Sequence, residues 1–128
     1  NNFIVLRYGD VVLMLAEALN EQGYVHNGEA FEYLNSIRER AGVVPYTTSD
    51  LPDQESFRTA VLNERRLELA FENHRWFDLV RTGTFVETMQ AYDEERAPLS
   101  VDQHFQYFPI PQSQIDISPD NIYQNEGY

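Results

Sequence analysis

Between Ile4 and Gln22 the apolar residues Tyr8, Val11, Val12, Leu15, Ala18 and Leu19 return every three or four positions, which is the period of an amphipathic α-helix. Gly23 offers a stop. Asn27 is placed to cap a second helix with Ala30, Phe31, Leu34 and Ile37 as its inner stripe, and Gly42 falls where a C′ glycine belongs. The pattern predicts a helical hairpin over residues 4–42, about the length of one tetratricopeptide unit. Ala16, Ala18 and Ala30 are small enough to let its helices approach closely. A lone unit of this kind cannot bury its apolar face, so a neighbour on its N-terminal side is expected.

Pro45 to Pro52 reads as a turn-rich linker, after which Asp50 or Asp53 caps a long third helix over residues 53–82, closed by Gly83. At 100° per residue this helix places Phe57, Ala60, Val61, Glu64, Glu68, Phe71, Glu72, Arg75 and Asp78 on one broad face. Leu62, Leu69 and Trp76 lie on a second side, and Leu67, Ala70 and Phe77 on a third. A helix apolar nearly all round is expected to be buried on more than one side. A shorter helical pattern covers Thr84 to Tyr92. Residues 93–128 read as a mostly irregular, extended tail, because Pro109, Pro111 and Pro119 prevent a long helix there.

The expected fold is therefore all-α: a tetratricopeptide-like hairpin, a long buried helix and an irregular tail, within one segment of 1–128. Its charge pattern needs explaining. Glu64, Glu68 and Glu72 recur at i, i+4 and i+8, which is repulsive when exposed and costly when buried alone. Arginines must meet them: Arg75 from the same helix, and Arg7, Arg38 or Arg40 from the hairpin. On this reading Glu68→Ala destabilises by several kcal/mol, on the order of a broken buried ion pair.

Composition narrows the function. Acidic residues number 21 against 9 basic, a formal charge of −12, which argues against nucleic acid and anionic membranes as partners. All the basic residues are arginine, the side chain suited to bidentate carboxylate pairing, although adaptation to salt would also favour an acidic, lysine-free chain. There is no cysteine, which removes disulfides, thiolate metal sites and cysteine nucleophiles. The longest strongly apolar run, Val11 to Ala16, is too short to span a bilayer.

His26, His74 and His104 are scattered, without HExxH spacing, and Glu72-Asn73-His74 has the wrong spacing for a di-metal carboxylate bundle. No metal and no cofactor is expected. GxSxG, P-loop and GxGxxG patterns are all missing, and no catalytic residue is assigned. A glycosidase pair would need two carboxyl groups facing an open cleft, whereas these glutamates stand among Leu and Phe. Trp76 reads as core. Tyr46, Tyr92, Phe105 and Tyr107 stand in segments read as exposed, where an aromatic ring can stack on a sugar; each reads first as a packing residue, and together they are the candidate ligand contacts.

Five ordered stretches, RYGDVVLMLAEALNE, LNSIRERAG, NERRLELAFENHRWFDLVRTG, FPIPQSQI and YQNEGY, resemble the C-terminal portion of the SusD/RagB family. The family pattern reads approximately RYAEVLLMYAEALNE, IRxRAG, ERRxELAFEGxRWFDLxRTG, PIP and QNPGY. Asn73 stands where the family has glycine, and Glu126 where it has proline. The resemblance implies a mostly helical, non-enzymatic, lipid-anchored protein on the outer membrane, facing outward. It implies binding of an oligo- or polysaccharide, or in some members a peptide, as a lid over a SusC-like TonB-dependent transporter. It also implies a structural role for Glu64, Arg65, Arg66, Glu68, Leu69, Arg75, Trp76, Asp78 and Arg81, with Glu72 in the same lattice. Full family members are several times longer, so the lipidated cysteine and most sugar-contacting aromatics are expected on an N-terminal part. A helical peptide- or protein-docking module is the alternative function, and a carboxylate glycoside hydrolase a further one.

Overall fold

A computed structural model describes residues 5–93 and 101–128, with side chains in the first stretch as far as Ala91. Among the described residues every regular element is helical. The chain divides into two compact units, Asn1–Arg75 and Trp76–Tyr128.

The first unit holds α1 (Tyr8–Gln22), α2 (Glu29–Arg40) and α3 (Gln54–Glu68). Its core joins Val12, Leu13 and Ala16 of α1 to Phe31, Leu34 and Ile37 of α2 and to Phe57, Ala60 and Val61 of α3, with Leu51 from the linker. Phe31 and Phe57 meet edge to face at 4.8 Å. Helix α2 closes as its sequence predicts. Gly42 takes φ 73, and the Gly42 and Val43 N–H groups donate to the Glu39 and Arg38 carbonyls. Asp53 caps α3 through a reciprocal box with Ser56.

Three expectations are corrected in this unit. Asn27 does not cap α2; it takes φ 50 in the preceding turn, and Gly28 stands at the cap with no side chain to offer. In α1, the residues read as its inner stripe divide. Val12 is buried and Leu19 half-buried, but Tyr8, Val11, Leu15 and Ala18 face outward. The hairpin instead takes the arc of Val12, Leu13 and Ala16, which lies beside that stripe on the wheel.

The long third helix does not run unbroken to residue 82. It ends at Glu68, and the chain turns through Phe71 and Asn73 at φ 67 and 65 before α4 begins at Arg75. Left-handed residues cannot continue a right-handed helix. Burial on several sides is consequently lost here: Leu67, Phe71 and Phe77 are exposed, Phe71 completely.

The second unit contains α4 (Arg75–Arg81) from Trp76 onward, α5 (Phe85–Asp93), a 3₁₀ turn at Gln103–Gln106 and α6 (Gln112–Ile117). Gly83, at φ 71, ends α4, with its own N–H and that of Thr84 returned to the Val80 and Leu79 carbonyls. Trp76 packs edge to face on buried Phe85 at 4.7 Å and tilts over Phe108 at 5.8 Å. The segment read as an irregular tail thus carries a 3₁₀ turn and a short helix besides extended chain. Its charged stretch, 94–100, lies outside the described residues.

Candidate functional site

Helix α3 carries Glu64 and Glu68 one turn apart, and the hairpin brings arginines to meet them. Arg38 Nη1 donates to Glu64 Oε2 at 2.8 Å, with both side chains nearly buried. Arg7 is shared: its Nε bonds both Glu72 carboxylate oxygens at 2.9 and 2.8 Å, while its other nitrogens meet the Glu68 carboxylate and the Glu68 carbonyl. Arg40 also reaches Glu68. Deeper still, Arg65 Nη1 donates to Asp10 Oδ1 at 2.7 Å, both side chains being 5% exposed. Asp10 is a member that the sequence reading missed, because the (i, i+3) and (i, i+4) logic applied to α3 never looked for a lone acid on α1.

These charges govern one another. The Glu72 and Glu68 carboxylates hold the Arg7 guanidinium well above its ordinary range. In return, the Arg7 hydrogen bond holds the Glu72 carboxyl below the usual glutamate range. Gly9 permits the arrangement, since a Cβ there would stand 2.7 Å from Arg7 Nη1 and 3.0 Å from Glu68 Oε1. Arg66 is exposed on α3 and Arg75 half-buried at the start of α4. Asp78 is buried and receives Arg81 Nε at 2.9 Å one turn on. Glu64 and Glu68 are turned into the protein against guanidinium groups, the opposite of what a glycosidase pair in an open cleft requires.

The aromatic candidates fall in two places. Tyr46 is half-buried, with the Arg38 guanidinium 3.7 Å above its ring. The Asn35 side chain pins its backbone, accepting from Tyr46 N at 2.8 Å and donating to Tyr46 O at 2.9 Å. Tyr46 borders a depression with Asp50, Asp53, Ser56, Thr59 and Asn63. The Tyr92 side chain lies outside the described residues.

Phe105 and Tyr107 belong to the second unit, Tyr107 being 64% exposed. There the last stretch folds back on the extended one. Gln124 pairs with Ile110 as a neighbouring strand would, accepting from its N–H at 2.8 Å and donating to its carbonyl at 3.0 Å. Asn125 donates to the Phe108 carbonyl and Tyr128 Oη to the Tyr107 carbonyl, each at 2.8 Å. Gly127, at φ 96, presses on His104, where a Cβ would lie 2.6 Å from Cγ. Asp102 accepts the His104 N–H at 2.9 Å, which holds its carboxyl below the ordinary range. Tyr107, Gln103, His104, Asn125, Asp102 and Glu126 line a second depression.

An exposed ring beside amide and carboxylate groups offers an apolar face and hydroxyl partners together, the combination a sugar requires. The FPIP and YQNEGY stretches stood out in the sequence. Their mutual bonding did not, because side-chain-to-backbone pairing leaves no periodic mark. Among the described residues no group of His, Asp and Glu is arranged to hold a metal ion, and no helix is long and apolar enough to cross a membrane.

Residues 1–128 match the model of the SusD family throughout. SusD-like protein P25 of Formosa agariphila is 36% identical over 135 residues, which cover 100% of this chain and 25% of that protein. A SusD homolog from Bacteroides thetaiotaomicron superposes with a TM-score of 0.79 at 37% identity, over 96% of this chain and 26% of the other. Surface glycan-binding protein A from the same organism superposes with a TM-score of 0.79 at 31% identity, over 98% and 25% of the two chains. The chain thus spans about a quarter of the length of the relatives it matches.

Proposed function

We propose, from the premise that this chain belongs to the SusD family, that it is part of a surface glycan-binding protein of a nutrient-uptake system. In the proposal the whole protein is an outward-facing lipoprotein of the outer membrane, anchored through a segment beyond this one. It captures an oligo- or polysaccharide and hands it to a SusC-like TonB-dependent transporter. The observation that carries the reading is the likeness of nearly the whole chain to surface glycan-binding protein A.

Within this segment the charged residues are assigned to architecture. Glu64, Arg65, Glu68 and Glu72 fix α3 and the turn after it against the hairpin, and Trp76, Asp78 and Arg81 organise the second unit. No catalytic step is assigned to any of them. Tyr107, with Phe105, is the contact this segment can offer to a sugar; Tyr46 is the weaker one, because Arg38 already occupies one face of its ring.

Affinity electrophoresis of the full-length protein through gels containing different polysaccharides tests the reading. Retardation by at least one glycan, with co-purification of a transporter from membranes, supports it. Unretarded migration through every glycan overturns it. Tyr107→Ala run alongside decides the role of that ring separately: unchanged retardation removes Tyr107 as a contact and leaves the wider proposal standing.

A further inference from the structure

The depression beside Tyr107 in the second unit measures about 720 Å³, inside the roughly 300–1,000 Å³ range of small-molecule sites. Packing of the last stretch shapes it. The His104 ring centroid lies 4.0 Å from that of Phe105 and 5.0 Å from that of Tyr128, and Gly127 passes too close to His104 to carry a side chain. These contacts bring Asn125 and Glu126 beside the 3₁₀ turn that carries Gln103. Glu126 is particular to this chain, standing where the family pattern has proline.

The polar groups around it are mostly acceptors. Both bonds that Asp102 receives from His104 fall on Oδ1, so its Oδ2 remains open, and the exposed Glu126 carboxylate has no bond to any described residue. Asn125 adds an amide oxygen, its NH₂ group being engaged by the Phe108 carbonyl. Donors are fewer: the Gln103 amide and the Tyr107 hydroxyl. Among the described lining residues there is no arginine, and the Nδ1 of His104 is already bonded to Asp102. Sugar hydroxyls donate well to carboxylate oxygens, whereas a uronate or sulfate group would meet two like charges with no guanidinium to receive it. We infer that this depression is a subsite for uncharged sugars stacked on Tyr107, where Asp102 and Glu126 accept hydroxyl protons and turn away uronate- and sulfate-bearing glycans. The inference rests on the glycan reading above and adds to it the class of sugar and the two residues that select it.

The full-length protein is run through affinity gels of starch, galactomannan and laminarin, each beside the same polysaccharide with its primary hydroxyls oxidised to carboxylates, and through alginate. Retention by a neutral glycan that weakens on oxidation is the expected result. Asp102→Asn/Glu126→Gln then recovers binding to the oxidised polymer by about fivefold or more at low salt. Glu32→Gln/Glu39→Gln, on the exposed side of α2, removes the same charge outside the depression and is expected to recover far less. Equal recovery by the two double variants overturns the inference, because the repulsion then belongs to net charge alone. No recovery by either, retention indifferent to oxidation, or retention by alginate alone overturns it as well. Glu126→Gln alone decides if the double variant fails to fold, since that side chain bonds no described residue: partial recovery supports the inference and none overturns it. If no gel retards the protein, the uptake reading falls and the subsite with it; retention without recovery removes the subsite only.

Discussion

Residue by residue, the ion pairs differ in what their loss costs. Asp10 and Arg65 are both buried, so Asp10→Ala removes a carboxylate partner from an arginine held away from water. The expected loss is about 3–5 kcal/mol, read from the urea unfolding of the full-length protein. Glu68→Ala costs less, about 2–3 kcal/mol, because Arg7 and Arg40, at 28% and 61% side-chain exposure, can turn to solvent. If the two changes cost the same, burial is not what separates them. Glu72 sets a pH dependence. Its folded pKa lies below the unfolded value, so its contribution is complete above the ordinary glutamate range and is lost as pH falls through the lowered value. The thermal midpoint of the unaltered protein should therefore fall more steeply on acidification than that of Glu72→Gln. Parallel curves would remove the Arg7 bond as the cause.

At the scale of elements, the break after α3 shows where periodicity misleads. Apolar and acidic residues keep their helical spacing from Phe57 through Asp78, so the pattern alone cannot register two backbone positions that reverse the sign of φ. The clue was chemical: the family pattern has glycine where this chain has Asn73, and asparagine is among the non-glycine residues that best tolerate the left-handed region. Asn73→Gly is therefore expected to be nearly neutral in stability, whereas Asn73→Val costs roughly 1–2 kcal/mol. A neutral valine in thermal unfolding would mean the turn is not held at that φ. The hairpin, its glycine-terminated second helix and the Asp53 cap were legible because each rests on local rules. The outward face of α1 was not, because a stripe at helical spacing does not tell which of two adjoining apolar arcs the hairpin takes.

For the molecule as a whole, formal charge −12 coexists with a lattice of opposite charges in the first unit. Salt acts on the two unequally. Exposed like charges are screened within about 10 Å at 0.1 M salt, while buried pairs are screened far less. A full-length protein carrying the same acidic excess as this segment is therefore expected to unfold at a higher temperature in 0.5 M than in about 0.02 M sodium chloride. The same midpoint in both would show that the acidic surface exacts no penalty. Fold class and family were legible across the whole chain, since ordered motifs survive substitution of single residues such as Glu126. The candidate contacts were less so: exposure of Tyr107 and the covering of Tyr46 by Arg38 depend on how irregular chain folds back, which leaves no periodic mark.

The span of the Arg7 interactions bears on time as well as equilibrium. Arg7 bonds partners 61 and 65 positions away, and Asp10 one 55 positions away. Closing such long loops is slow to be rewarded, so contacts of this range form after the local hairpin. Interactions absent from the folding transition state act almost wholly on the rate of escape from the native state. Arg7→Met should accordingly accelerate unfolding in stopped-flow measurements and leave refolding nearly unchanged. In the outward-facing position proposed above, such a latch limits proteolysis, since the protein's lifetime there depends on how rarely it opens.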